Sequence, residues 1–596
     1  MKPTIEILER INQNSKCNKN EIFTRIYRYL QRPDIYFLAY KNLYANNGAA
    51  TRGVDDDTAD GFSEEKVALI IQTLKDGTYT PKPARRTYIK KKNGKMRPLG
   101  LPTFTDKLVQ EVVRMILEAI YEPVFSDTSH GFRPNRSCHT ALENITKGFN
   151  GIKWFIEGDI KGCFDNIDHN VLADLIGKKI KDVRFIQLVR KFLKAGYIED
   201  WKYNETYSGT PQGGIVSPIL ANIYLHELDL FAEQMKQRFD QPQRKRSYTP
   251  EYDRIRQRLS YWKKKINHAE DSEKPILIQK YNEIRKEMLR TPSKLQADKK
   301  FKYVRYADDF LIGVNGSKAD CEKIKSELKS FIGNTLKMEL SEEKTLITHS
   351  ENKARFLGYD VRVRRNAHIK RDKRGITKRT LNNMVELTIP FKDKIESFMF
   401  DKGIIRLVNG EIRSKHRTVL LQITEYEIVS TYNAELRGIS NYYRMASNFS
   451  KLGYFAYLME YSCLRTLAAK RKSTIAKIIH SHQDGHGKWC VPYLTAKGEK
   501  HLYFAKYMDC KKKRTFSDNI RKDALYYTHN TNSFESRLKA RVCELCGTTE
   551  AKHYEIHHIH RLKDLEGKAP WEKYMIARKR KTMVVCRDCH KEIHRQ

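Results

Sequence analysis

The chain has 596 residues, too many for one hydrophobic core and enough for three or four domains. Lysine and arginine number 112 against 72 acidic residues, a formal net charge of +40, so the expected partner is a polyanion and nucleic acid fits best. No apolar run approaches the roughly 18 residues of a spanning helix, and the basic residues are spread along the whole chain, which argues against a membrane partner.

The first residues, MKPTIEILERINQNSK, lack an apolar signal core and carry Glu6 and Glu9, so the expected home is a bacterial cytoplasm. Residues 1 to 80 read as helical pieces joined by a turn-rich link from Asn46 to Gly53. From Arg85 to Pro102 two strands flank a turn at Asn93-Gly94 and form a hairpin loaded with Lys and Arg. Such a finger can close over a triphosphate, or it can be a solvated basic surface. Thr103-x-x-Asp106 then opens a helix with Leu108, Val112, Met115 and Ala119 on one buried face.

Asp159 ends an apolar run, Trp154-Phe-Ile-Glu-Gly-Asp159, where a sheet delivers a side chain into a cleft. Five residues on, Phe164 is either a core aromatic or a ring beneath the sugar of an incoming nucleotide, where it would collide with a 2′-hydroxyl. In Thr210-Pro-Gln212-Gly213-Gly214 the paired glycines permit close backbone approach to a base pair, and Gln212 can hydrogen-bond along its edge. Between residues 235 and 300, Tyr252, Ile255, Leu259, Trp262 and Ile266, then Leu277, Tyr281, Ile284 and Met288, step by three and four. Two amphipathic helices packed as a hairpin are predicted, with basic outer faces that suit RNA or simply solvent.

The stretch Lys302 to Gly313, KYVRYADDFLIG, organises the rest. Apolar and β-branched residues flank Tyr306-Ala307-Asp308-Asp309 and predict a hairpin with two carboxylates at its turn. Adjacent acids repel unless a cation lies between them, and oxygen ligands of this kind suit Mg²⁺ together with substrate phosphate oxygens. Asp159 supplies a third carboxylate, the number a two-metal phosphoryl transfer uses. Beyond 370 a basic entry leads into helices, one with Leu436, Ile439, Tyr443 and Ala446 on a stripe. From Lys477 to about Ser536 come glycines, aromatics and a run at Lys511-Lys512-Lys513-Arg514.

Of 11 cysteines the last four, Cys543-x-x-Cys546 and Cys586-x-x-Cys589, have the spacing of a structural zinc site in a reducing compartment. His590 and His594 lie one helical turn apart and can face a common cation; His557-His558 sits within the same frame.

The succession RPLGLP, HGFRPNRSCHTAL, EGDIKGCFDNIDH, TPQGGIVSPILANIYLHELD, YVRYADDF, LSEEKT and ARFLGYDV resembles the reverse transcriptases encoded within group II introns, in particular the mitochondrial-lineage class, over essentially the whole chain. The resemblance implies a multidomain α+β protein. Its parts would be a right-hand polymerase with antiparallel palm sheet and fingers over 1–370, a helical thumb or maturase domain over 371–478, a basic DNA-binding segment over 479–537 and a zinc-stapled ββα-metal (HNH) nuclease over 538–596. It implies Mg²⁺ on Asp159, Asp308 and Asp309, a sugar gate at Phe164, support of the nascent base pair by Gln212, and triphosphate or nucleotide contacts from Lys91, Arg97 and Lys344. In the nuclease it implies a general base at His558 and a Mg²⁺ held by His557, His590 and His594, beside Zn²⁺ on the four cysteines. The middle asparagine of the HNH name is not evident: Lys581-Thr582 precedes the second cysteine pair and His560 follows the histidine pair.

The function implied is binding of an intron RNA to promote its splicing, nicking of target double-stranded DNA, and copying of the intron from dNTPs by target-primed synthesis. The rival is a splicing maturase that keeps an inactive polymerase fold as an RNA-binding scaffold; the presence of all three aspartates argues against it. Nothing in the sequence chooses between monomer and homodimer.

Overall fold

The computed structural model describes the whole chain except residues 1–2, 47, 91–93, 95, 200–201, 205, 207, 210–212, 242–247, 294–297, 367, 380–382, 496–497, 513–532 and 596. At its centre is a four-stranded antiparallel sheet in the order Lys300–Tyr306, Asp309–Asn315, Trp154–Asp159, Ile347–His349. Successive residues leave a strand on opposite faces, and here both faces are covered. Ile156, Phe310, Ile312 and Val314 join a core shared with the N-terminal helices, whereas Phe155, Val304 and Leu311 join a second core built largely from residues beyond 350. The central strands therefore sit between the two largest apolar clusters and are fixed from both sides.

Helix Phe104–Tyr121 starts where expected, with the Thr103 hydroxyl accepting from the Asp106 amide. It differs from the one-faced helix predicted, because the helices Thr4–Cys17, Pro33–Leu43 and Ser217–Phe239 pack around it and bury nearly every side chain. The basic hairpin pairs Ala84–Lys90 with Met96–Leu101, and the first of these continues into Tyr197–Glu199 and Lys202–Asn204 as a second four-stranded sheet.

Helices Pro250–Asn267 and Lys274–Arg290 pack through Ile255, Leu259 and Ile284, with Trp262, Tyr281 and Met288 at the margin. Arg379 ties this pair to the hairpin of Ile369–Arg371 with Thr377–Arg379 by donating to the carbonyls of Met288 and Leu289 at 2.8 and 2.9 Å. Further on, helix Glu425–Tyr442 ends earlier than the predicted stripe. Leu436 lies on it, but Tyr443 and Ala446 are buried beyond its end, where the chain turns into helix Leu452–Lys470. In the basic run, Lys513 and Arg514 lie outside the described residues.

The C-terminal module places strands Tyr554–His558 and Thr582–Cys586 antiparallel, followed by helix Arg587–Arg595. The short strand Phe62–Ser63 adds to its edge, pairing Phe62 with Ile556 and Ser63 with Glu555. Among the described residues no helix is long and apolar enough to cross a membrane.

Candidate active sites

In the central sheet Asp159 and Asp309 are direct cross-strand partners, and Asp308 occupies the two-residue turn between Tyr306 and Asp309, which pair with each other. The three carboxylates are thus delivered to one end of one sheet. Burial first, then the Asp159 and Asp308 carboxylates, push Asp309 up to about 7. Burial and Asp159 also raise Asp308, against the pull of Lys344 and Arg97. Two acids pushed up in this way beside a third carboxylate is an arrangement that divalent cations relieve. Lys344 Nζ reaches Asp159 Oδ2 at 2.8 Å, and so lies against the trio instead of apart from it. Lys91 and Gln212 lie outside the described residues. Phe164 is half-buried and meets the exposed Phe132 edge-on, with ring centroids 5.9 Å apart.

Sequence reading missed what holds the acidic turn from beneath. Arg305 is fully buried and spans the space under it, donating to both carboxylate oxygens of Asp229 at 2.7 and 2.6 Å, to Ser129 Oγ at 2.8 Å and to the Ala307 carbonyl at 2.9 Å. Although burial pushes Asp229 up, the Arg305 guanidinium brings it to about 2. Ala307 takes the left-handed backbone (φ 57°), and Gly131 lies so close that a Cβ there would stand 2.2 Å from the Ala307 amide nitrogen. The signal was present as an arginine on the strand face that also carries Phe301 and Tyr303.

From the thumb side, Tyr442 Oη donates to the Leu357 carbonyl at 2.6 Å and Tyr443 Oη to that of Gly358 at 3.2 Å. These residues form the turn between strands Ala354–Phe356 and Tyr359–Arg364, and the Leu357 amide in turn favours the ionised Asp309.

In the C-terminal module the sulfurs of Cys543, Cys546, Cys586 and Cys589 lie within 4.8 Å of one another, and the Cys546 and Cys586 sulfurs are 3.9 Å apart. Four thiolates at ~2.3 Å from one zinc ion stand ~3.8 Å from each other, so the tetrad fits the ion. His557, His590 and His594 also converge, with the Nε2 atoms of His590 and His594 3.3 Å apart. A fourth member is unexpected: Asp60, from the N-terminal region, completes this group. Its Oδ2 lies 2.7 Å from His594 Nε2, and its Oδ1 accepts from the His558 amide at 2.6 Å. Burial pushes Asp60 up, but His557 and His590 prevail and hold it well below the usual carboxylate range.

The donor set suits a divalent cation. His557 is 4% exposed; its Nδ1 lies 3.2 Å from Asp60 Oδ1, and its Nε2 has no hydrogen-bond partner, a state of a buried imidazole that a ligand would satisfy. Glu555 accepts from His590 Nδ1 at 2.6 Å, the outer carboxylate that fixes a ligating histidine. His558 follows His557 on the strand: its Nε2 donates to the Tyr44 carbonyl at 2.9 Å, which leaves Nδ1 as the basic nitrogen.

Comparison with known proteins divides the chain into polymerase, maturase and nuclease segments. The family model for reverse transcriptase (RNA-dependent DNA polymerase) matches residues 89–243 and 275–361, that for type II intron maturase matches 382–528, and that for AI2M/AI1M-like HNH endonuclease matches 543–590. The group II intron-encoded protein LtrA of Lactococcus lactis subsp. cremoris is 58% identical over 596 residues, covering 100% of this chain and 99% of that one. An uncharacterized 91 kDa protein in the cob intron of Schizosaccharomyces pombe is 36% identical, covering 100% and 72%. The putative COX1/OXI3 intron 2 protein of Saccharomyces cerevisiae is 32% identical, covering 98% and 68%. The chain belongs to the group II intron-encoded proteins that join a reverse transcriptase, an intron maturase and an HNH endonuclease.

Proposed function

We propose that this protein binds its own intron RNA, promotes its splicing and then copies it into DNA at a site that its nuclease has opened. The observation that carries this reading is the convergence of Asp159, Asp308 and Asp309 at one end of the central sheet, in a chain that also holds a histidine and cysteine module. Mg²⁺ bound by the three aspartates would activate a primer 3′-hydroxyl and steady the transferred phosphate. Around it the chain's own residues position the substrate. Arg97 and Lys344 offer positive charge to a triphosphate beside the carboxylates, and Phe164 with Phe132 forms an aromatic edge against which a deoxyribose fits and a ribose does not. Lys91 and Gln212 are proposed for the triphosphate and the nascent base pair on the motif likeness alone.

In the nuclease, His557, His590 and His594 would hold a Mg²⁺ that polarises the scissile phosphate. His558 would take the proton of the attacking water at Nδ1, with its ring oriented through Nε2 by the Tyr44 carbonyl. Zinc on the four cysteines would staple a module of limited core. The nicked target strand of double-stranded DNA then serves as primer for extension with dNTPs. Intron RNA has a fitting surface on the thumb, where Tyr454, Tyr457 and Tyr461 are exposed at helical spacing and can stack on unpaired bases. A cytoplasmic site of action in a bacterium suits a chain with these partners.

The test is one reaction with purified protein, candidate intron transcript, target DNA, dNTPs and magnesium, followed for splicing, nicking and primer extension. Asp308→Asn with Asp309→Asn should abolish extension and leave splicing, because RNA is bound away from the cleft. Equal loss of splicing in a folded variant would refute that division. His558→Ala should stop nicking with zinc retained; loss of zinc would instead make His558 structural.

A further inference from the structure

We infer that Asp60 is a metal ligand of the nuclease, so that the cutting site is composite and is completed by the polymerase half of the chain. The inference rests on the reading of the histidine cluster as a cation site. Asp60 lies outside the matched nuclease segment, 483 residues before Cys543, yet its carboxylate stands in the middle of the three imidazoles.

The first argument is geometric. Ligand atoms at 2.0 to 2.1 Å from a shared cation are separated by about 2.9 Å in an octahedral site and about 3.4 Å in a tetrahedral one. The observed separations are 2.7 Å from Asp60 Oδ2 to His594 Nε2 and 3.2 Å from Asp60 Oδ2 to His590 Nε2. They are 3.3 Å between the two Nε2 atoms and 3.2 Å from Asp60 Oδ1 to His557 Nδ1. These are edges of one coordination shell.

The second argument is chemical. His590 Nδ1 donates to Glu555, and its Nε2 lies within 3.3 Å of both carboxylate oxygens of Asp60 and of a second imidazole nitrogen. Ligand atoms from four side chains gathered this closely suit a shared cation. A divalent ion would engage them together with the buried ring of His557, whose Nε2 has no hydrogen-bond partner.

The third argument is that Asp60 is placed firmly. Just before it, the Ala59 amide donates to the Ala49 carbonyl, and the Ala59 carbonyl accepts from Tyr40 Oη at 2.9 Å. Just after it, Gly61 takes a left-handed backbone (φ 73°) and donates its amide to the Ile556 carbonyl at 3.0 Å, the start of the pairing that makes Phe62–Ser63 the third strand of the nuclease sheet. A side chain fixed at both ends by the two halves of the molecule is a preorganised ligand. Its consequence is a checkpoint: the nuclease holds its full donor set only while seated on the polymerase.

The experiment is a Mn²⁺ titration of the full chain, read by electron paramagnetic resonance, in an Asp308→Asn, Asp309→Asn background that removes palm binding. Zinc content and melting temperature serve as controls for folding. The background chain should bind one Mn²⁺ tightly, His590→Ala should lose it, and Asp60→Ala should weaken it by about tenfold or more. Asp60→Asn retains an acceptor for the His558 amide and hence the local fold; it should weaken binding nearly as much, and Asp60→Glu should recover part. Unchanged or tighter Mn²⁺ binding in Asp60→Asn would overturn the inference and make Asp60 a plug instead of a ligand. Retention of Mn²⁺ by His590→Ala would refute the histidine site itself, and this inference with it.

Discussion

The polymerase cleft and the nuclease solve opposite problems. The cleft crowds three like charges, and its scaffold answers with a buried counter-charge network, Arg305 with Asp229, beneath the turn that carries two of them. The nuclease gathers three imidazoles around one carboxylate in a small module, which has a cluster of four cysteines and an edge strand from another part of the chain. One site is stabilised from below by its own fold. The other would be stabilised by zinc on its cysteines and by a neighbouring strand. If that contrast is correct, the two should fail separately and for different reasons.

The sharpest break comes from the cysteines. A structural zinc ion contributes on the order of 10 kcal/mol to the folding of a small module, so chelation, or Cys586→Ser, should remove the ββα unit as a folded entity. Calorimetry of the full chain should then show a lost or strongly lowered transition, nicking should vanish, and extension of a pre-annealed primer should persist. Parallel loss of extension would mean that the module is part of the polymerase core, which their shared apolar cluster makes the meaningful alternative.

The converse variant is Arg305→Ala. It leaves the Asp229 carboxylate buried without its partner, a change that costs about 3–5 kcal/mol, measurable by denaturant unfolding. Replacing the pair together, Arg305→Met with Asp229→Leu, should restore most of that stability because two apolar groups fill the space. Extension should nevertheless stay low, since the Ala307 carbonyl and Ser129 lose their donor and the acidic turn loses its register. Recovery of full extension would show that the network serves stability alone.

How far the sequence carries follows from the same contrast. Asp159, Asp308 and Asp309 were legible because each ends or turns a strand of recognisable pattern, and Cys543, Cys546, Cys586 and Cys589 because zinc knuckles have fixed spacing. Arg305 was visible as a charge among apolar neighbours, but its partner Asp229 sits 76 residues earlier in a helix, and no local rule joins them. Asp60 carried no signal: an aspartate before a glycine reads as an ordinary turn residue, and only strand addition across the chain gives it a role. Helix Phe104–Tyr121 shows the same limit, because a periodic stripe marks one buried face and cannot reveal that other helices cover the rest.

The smallest effect tests the link between thumb and cleft. Tyr442 Oη donates to the Leu357 carbonyl in the turn whose amide favours an ionised Asp309. Tyr442→Phe removes one hydroxyl and leaves the ring and its neighbour Tyr443 in place. The cost should be about 1 kcal/mol, the net worth of one hydrogen bond. Because the lost contact acts on the turn and not on the nuclease, extension should fall several-fold with a shift toward higher magnesium demand, and nicking should be unaffected. A stability loss of that size with unchanged extension would make the thumb contact a packing device, and the cleft would then depend on Arg305 and the sheet alone.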